Sequence, residues 1–161
     1  MAKVNVIKGV IECTDDISDY LDLILTIPED VQKKMLQAQG DIIAEEERKT
    51  ARSMLSVNTG KYYDEETGIA SHIKVGKMKK NRGENLYHTD VIFSGKQHGV
   101  RRAEIAFVNE YGALHMARGS LNGKPWIQKP RPFIQTAINR ASGDAVAAAE
   151  KIFFEDFIDK L

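Results

Sequence analysis

Apolar residues recur at helical spacing over two long stretches of the chain, and alternate with polar ones between them. Val31, Met35, Ala38, Ile42, Ala51 and Leu55 predict a helix from about Pro28 to about Leu55, roughly 40 Å long at 1.5 Å per residue. Thr26-Ile27-Pro28-Glu29 announces it as a capping box with proline in the first turn, and Glu29 and Asp30 oppose the positive helix end. Gly40 weakens the middle by about 1 kcal/mol relative to alanine. Glu45, Glu46 and Glu47, followed by Arg48 and Lys49, predict an exposed face with i,i+3 and i,i+4 pairs. A second long helix is predicted from Pro132 to about Lys160, with Ile134, Ile138, Ala141, Ala145, Ala149, Ile152, Phe153 and Phe157 on one broad face. Pro132 suits its start, since the first helical position needs no N–H. Gly143 marks a candidate kink.

Between the helices the period changes. Ile69, Ser71, Ile73 and Val75 alternate as a strand, residues 77–84 form a turn with a cationic tip, and residues 85–95 return as the second strand of a hairpin. The alternation of Ile105 and Phe107 against Ala106 and Val108 predicts a third strand, ended at Gly112 by a residue that tolerates positive φ. A short strand at residues 3–7 and a short helix at residues 15–25 (Ile17, Leu21, Ile24, Leu25) precede these elements. The expected fold class is α+β: a small antiparallel sheet of three or four strands packed against a long N-terminal and a long C-terminal helix. Residues 1–161 read as a single domain, with the long loop over residues 113–131 as an interaction arm.

At 42% hydrophobic, the 161 residues suffice for a real core, and with 7% aromatics that core is mostly aliphatic and alanine. The single Cys13 excludes an intramolecular disulfide, and no apolar run approaches the ~20 residues of a membrane span. A cytosolic site of synthesis and no membrane partner are expected.

Net charge is zero but unevenly placed. Met1 to Asp30 carries seven acids against Lys3 and Lys8. His72 to Arg102 carries eight cations (Lys74, Lys77, Lys79, Lys80, Arg82, Lys96, Arg101, Arg102) against Glu84 and Asp90. Opposite blocks in a neutral chain suit association between different surfaces, and suit solvated faces nearly as well.

Candidate chemistry is sparse. His72, His88, His98 and His115 lack metal-ligand spacing, and no zinc site, phosphate-cradling loop or hydrolase elbow is recognised. Asp64, Glu65 and Glu66 fall together without the order of a calcium loop, leaving a metal-dependent hydrolase as a distant alternative. No catalytic residue, cofactor or metal is expected. Lys77, Lys79, Lys80 and Arg82, with Arg101 and Arg102, offer an acidic partner or DNA a cationic surface; charged hairpin tips also simply discourage aggregation. Trp126, the one tryptophan, lies in the proline-flanked loop as a candidate interface anchor.

Taken in order, these segments resemble the tail-completion or head–tail joining (neck) proteins of tailed bacteriophages and related prophage particles. The resemblance is carried by Ile7-Lys8-Gly9, by the helix start from Ile27 to Val31 and by the stretch from Thr67 to Ile73. Its strongest pieces are Phe-Val-Asn-Glu-Tyr-Gly at Phe107 to Gly112 and Lys-Pro-Arg-Pro-Phe-Ile at Lys129 to Ile134. It implies a structural virion protein without catalytic activity, assembled in the host bacterial cytoplasm as a ring, commonly of six. Its partners would be other copies of itself, connector and tail-tube proteins, and DNA passing through the lumen. A tail-terminator role capping the tube and a small DNA-binding module using the basic hairpin are the alternatives. Arg131 is expected to pair with a carboxylate such as Glu110, and Tyr111 and Phe133 complete the candidate interface. The acidic N-terminal block and the basic hairpin are the candidate complementary surfaces of the ring.

Overall fold

The computed structural model describes residues 27–55, 68–81, 83, 86–115 and 125–160. The strand expected at residues 3–7, the helix expected at residues 15–25, Cys13, and Asp64 to Glu66 lie outside them.

The first helix, α1 (Glu29–Leu55), matches the apolar spacing. Thr26 of the expected capping box lies outside the described residues. The Gln32 side chain donates to the Ile27 carbonyl at 2.8 Å, and Glu29 extends its carboxylate to Lys80 and to the Tyr87 hydroxyl, each at 2.6 Å. The last helix, here α3 (Phe133–Asp156), lies antiparallel to α1, since Lys34 meets Asp156 at one end and Arg140 meets Glu46 farther along. Phe133, Ala137, Ala141, Ala145 and Ala149, four residues apart, form its buried stripe. Small side chains let two backbones approach closely, which accounts for a core low in aromatics. Ile138, expected on that face, is 40% exposed.

One hairpin lies across α1. Strand β1 (Ile73–Val75) pairs with β4 (Val91–Phe93), and β2 (Lys79–Lys80) pairs with β3 (Tyr87–His88). Three residues, 76–78, separate the two ladders on the outgoing side and only 89–90 on the return, so one strand carries an extra residue, as in a β-bulge. The Gly76 N–H bridges the gap to the Asp90 carbonyl at 2.7 Å. Residues 70–72, expected to open the strand, form a 3₁₀ turn instead. The Arg48 guanidinium ties the hairpin to α1 through two hydrogen bonds to the Ile73 carbonyl, 2.7 and 2.9 Å. Gly40 is what allows the close approach: a Cβ there would stand 2.9 Å from a Val75 methyl.

The third strand of the expected meander is not a strand. After a small pair, β5 (Lys96–Gln97) with β6 (Val100–Arg101), the chain forms α2 (Arg102–Tyr111). Its buried positions, Arg102, Ala106 and Glu110, repeat every four residues, so helical packing outweighs the apparent alternation. The fold remains α+β, with separate two-stranded antiparallel pairs among the described residues in place of one three- or four-stranded sheet. The core gathers Ala44, Ala51, Leu55, Ile69, Ala70, Ile73, Ala106 and Phe133, with Phe93 edge-on to Phe133 at 6.0 Å between centroids. No described helix is long and apolar enough to cross a membrane.

Candidate functional site

The two motifs singled out at Phe107 to Gly112 and Lys129 to Ile134 meet in space. The expected arm contains a hairpin, β7 (Ala113–His115) antiparallel to β8 (Trp126–Gln128). Gly112 launches it with φ 77°, and a Cβ there would stand 2.5 Å from the Gln128 carbonyl oxygen, so glycine is required on both counts. Asn109 is the hub. Its carbonyl accepts the Arg131 N–H at 2.6 Å, and its side-chain oxygen accepts from the Gln128 amide at 3.2 Å. Gln128 in turn contacts the His115 ring at 3.1 Å.

Glu110 fastens the last helix. Pro132, at its N-cap, offers no side-chain cap, and the Glu110 carboxylate accepts the N–H groups of Ile134 at 2.8 Å and Gln135 at 3.0 Å. A carboxylate supplied from 24 residues away thus satisfies two orphan donors and faces the positive end of the helix dipole. The ionic partner expected for Glu110 was Arg131; the observed partners are these backbone amides. Glu110 is buried and serves the fold rather than a surface.

Several other expected surface residues are likewise occupied. Phe133 is fully buried in the core. Arg102 is buried and donates to the Ser94 carbonyl at 3.0 Å. Lys80 holds Glu29 at 2.6 Å, and Lys79 lies 3.5 Å from Asp90. One residue of the acidic block, Glu29, thus meets the basic hairpin within one chain; residues 1–26 of that block lie outside the described residues. Hydrogen bonds from Lys80 and Tyr87, with the charges of Lys80 and Lys33, hold the Glu29 carboxyl down to about 2. Lys77 is exposed, Arg101 is exposed and 4.0 Å from Glu104, and Arg82 lies outside the described side chains. Among the described residues no cluster of three or more His, Cys, Asp or Glu side chains is placed to hold a metal.

Glu47 was expected on a solvated face with Glu45 and Glu46. It is buried instead, and burial, with the negative charge of Glu110, pushes its carboxyl up to about 7. Periodicity places Glu47 one turn after the buried Ala44, a signal that its acidic neighbours hide.

What α2 and the β7–β8 hairpin leave outside is apolar. Phe107, Tyr111, Leu114 and Ile127 are 62–74% exposed, and Trp126 is 42% exposed. Phe107 and Tyr111, one turn apart on α2, pack with ring centroids 4.8 Å apart and planes tilted by 48°. Leu114 and Ile127 are cross-strand partners, and Trp126 lies flat against His115 at 4.0 Å. Sequence reading found Tyr111 and Trp126 and missed the other three, because it placed Phe107 beside Ile105 on one face of a strand and treated residues 113–128 as a loop. Five large side chains on α2, β7 and β8 are thus left facing water, which penalises each of them. No family model, curated protein or solved structure matches the chain.

Proposed function

We propose that this chain is a structural subunit of a ring at the head–tail junction of a tailed phage or related particle, joining the connector to the tail. The observation that carries the self-association is the set of exposed apolar side chains on α2 and the hairpin, Phe107, Tyr111, Leu114, Trp126 and Ile127. A two-stranded hairpin is marginal in water on its own, and one exposing Leu114 and Ile127 on one face and Trp126 on the other gains most by being covered. The resemblance at Phe107 to Gly112 and Lys129 to Ile134 supplies the setting. The same two segments supply the Asn109 and Glu110 contacts that aim the hairpin, which gives the motif pair a physical purpose.

A DNA-binding role for the basic hairpin is weaker, because Lys79, Lys80 and Arg102 are already engaged within the chain. Light scattering on the purified protein, with and without tail tubes, tests the ring. An oligomer, alone or on the tubes, is expected. A monomer in both conditions, or electron micrographs locating the protein away from the head–tail junction, would overturn the proposal.

A further inference from the structure

The helix–hairpin face is not only apolar. From Gly112 to Pro132 the chain carries Arg118, Lys124, Lys129 and Arg131 and no acid at all. Lys129 is exposed and makes no ion pair among the described residues. The opposite sign collects at the other end of the molecule. From Asp144 to Lys160 there are five acids (Asp144, Glu150, Glu155, Asp156, Asp159) against Lys151 and Lys160. Lys34 occupies Asp156 and Lys151 lies near Glu155, so Asp144, Glu150 and Asp159 are left without an ion pair among the described residues. Phe154, one turn after Glu150 on α3, is 39% exposed and edge-on to Phe153.

These surfaces are far apart on one chain. The hairpin springs from beside the first turn of α3, and the acidic patch occupies the second half of that helix and the 3₁₀ turn Ile158–Lys160. With 24 residues, α3 is about 36 Å long. A basic apolar knob at one end and an acidic apolar seat near the other is the arrangement a heterologous, head-to-tail contact requires, and repetition of such a contact closes a ring where the rotation allows.

We infer that the β7–β8 hairpin of one copy seats on the acidic C-terminal half of α3 of the next, with Ile127 against Phe154, and Lys129, on the same side of the strand as Ile127, facing Glu150 and Asp159. The contact rests on the ring reading above and specifies which two surfaces build it. Charge across such an interface sets register and partner choice more than raw affinity.

Three full-length variants test it. One reverses the arm (Lys124→Glu with Lys129→Glu), one reverses the seat (Glu150→Lys with Asp159→Lys), and one carries all four changes. Each is checked for an unchanged far-UV circular dichroism spectrum and then measured by analytical ultracentrifugation. Either reversal alone is expected to weaken self-association about tenfold or more. Mixing the two reversed proteins restores it, because each arm then meets a seat of opposite sign, and the fourfold variant restores it alone. If the wild type associates while both reversals associate equally well, or if neither the mixture nor the fourfold variant recovers, the contact is wrong although the ring reading stands. Arm reversal that abolishes duplex-DNA binding and leaves self-association intact would likewise overturn the contact. A wild type that stays monomeric, alone and with tail tubes, sinks both.

Discussion

Glu47 and Gly40 show how far single residues of α1 depart from their apparent roles. A carboxyl that titrates near 7 in the folded protein and at 4.5 in the unfolded chain holds its proton longer when folded. Folding therefore binds protons between those values, and stability falls as pH rises from 4.5 to about 7, then levels. Glu47→Gln should remove that slope and stabilise the protein at pH 8 by on the order of 2 kcal/mol. Urea melts of both proteins at about pH 5 and about pH 8, either side of the folded value, measure it; equal slopes in the two would refute the buried, neutral acid. Glu29 has the opposite sign. Its folded value near 2 means a contribution present above 4.5 and lost as pH falls toward 2. For Gly40, propensity alone favours alanine by about 1 kcal/mol. The Val75 methyl 2.9 Å away decides otherwise. Gly40→Ala should destabilise by about 1–2 kcal/mol net, and Val75→Ala in the same chain should remove that penalty, because the two positions are coupled.

At the scale of elements, the short helix α2 organises its neighbours through three consecutive residues. Asn109 holds the hairpin, Glu110 caps α3, and Tyr111 faces out. Glu110→Ala leaves two helix N–H groups without their acceptor and should cost about 1–3 kcal/mol in thermal or urea unfolding. Part of that loss should be offset as the Glu47 carboxyl relaxes toward its ordinary range, so the Glu110→Ala penalty should be larger in a Glu47→Gln background. A double-mutant cycle reads this directly, and strict additivity would contradict the electrostatic link. The α2 segment also explains why a strand was expected where a helix forms. Along this helix, Ile105 and Phe107 set against Ala106 and Val108 satisfy a period of two. The buried helical stripe meanwhile reads Arg-Ala-Glu, which no hydrophobic pattern reveals. Only the partners of Arg102 and Glu110, the Ser94 carbonyl and the first turn of α3, make that stripe an interior one.

The described residues form a slab of two long helices with a hairpin across it and an apolar arm beside the start of α3. Tyr111→Ser combined with Ile127→Ser removes two of the most exposed apolar side chains and touches none of the core. The double variant should keep its melting temperature within a few degrees while self-association weakens about tenfold or more. Calorimetry and sedimentation on the same sample separate the two effects; a large loss of stability with unchanged association would place those side chains in the fold instead.

Local pattern was enough for α1, for α3, for the hairpin from Ile73 to Phe93 and for the glycine at position 112, because each is governed by residue spacing or by backbone freedom that neighbours in sequence supply. The resemblance, rather than local pattern, singled out Phe107 to Gly112 and Lys129 to Ile134. What they do for one another was decided in three dimensions. Glu110 becomes a cap only when the amides of Ile134 and Gln135 are brought to it, Glu47 becomes neutral only when water is excluded, and Lys80 is spent on Glu29 only once the hairpin folds over α1. Burial and long-range partners belong to the packed chain as a whole, and no window of sequence contains them.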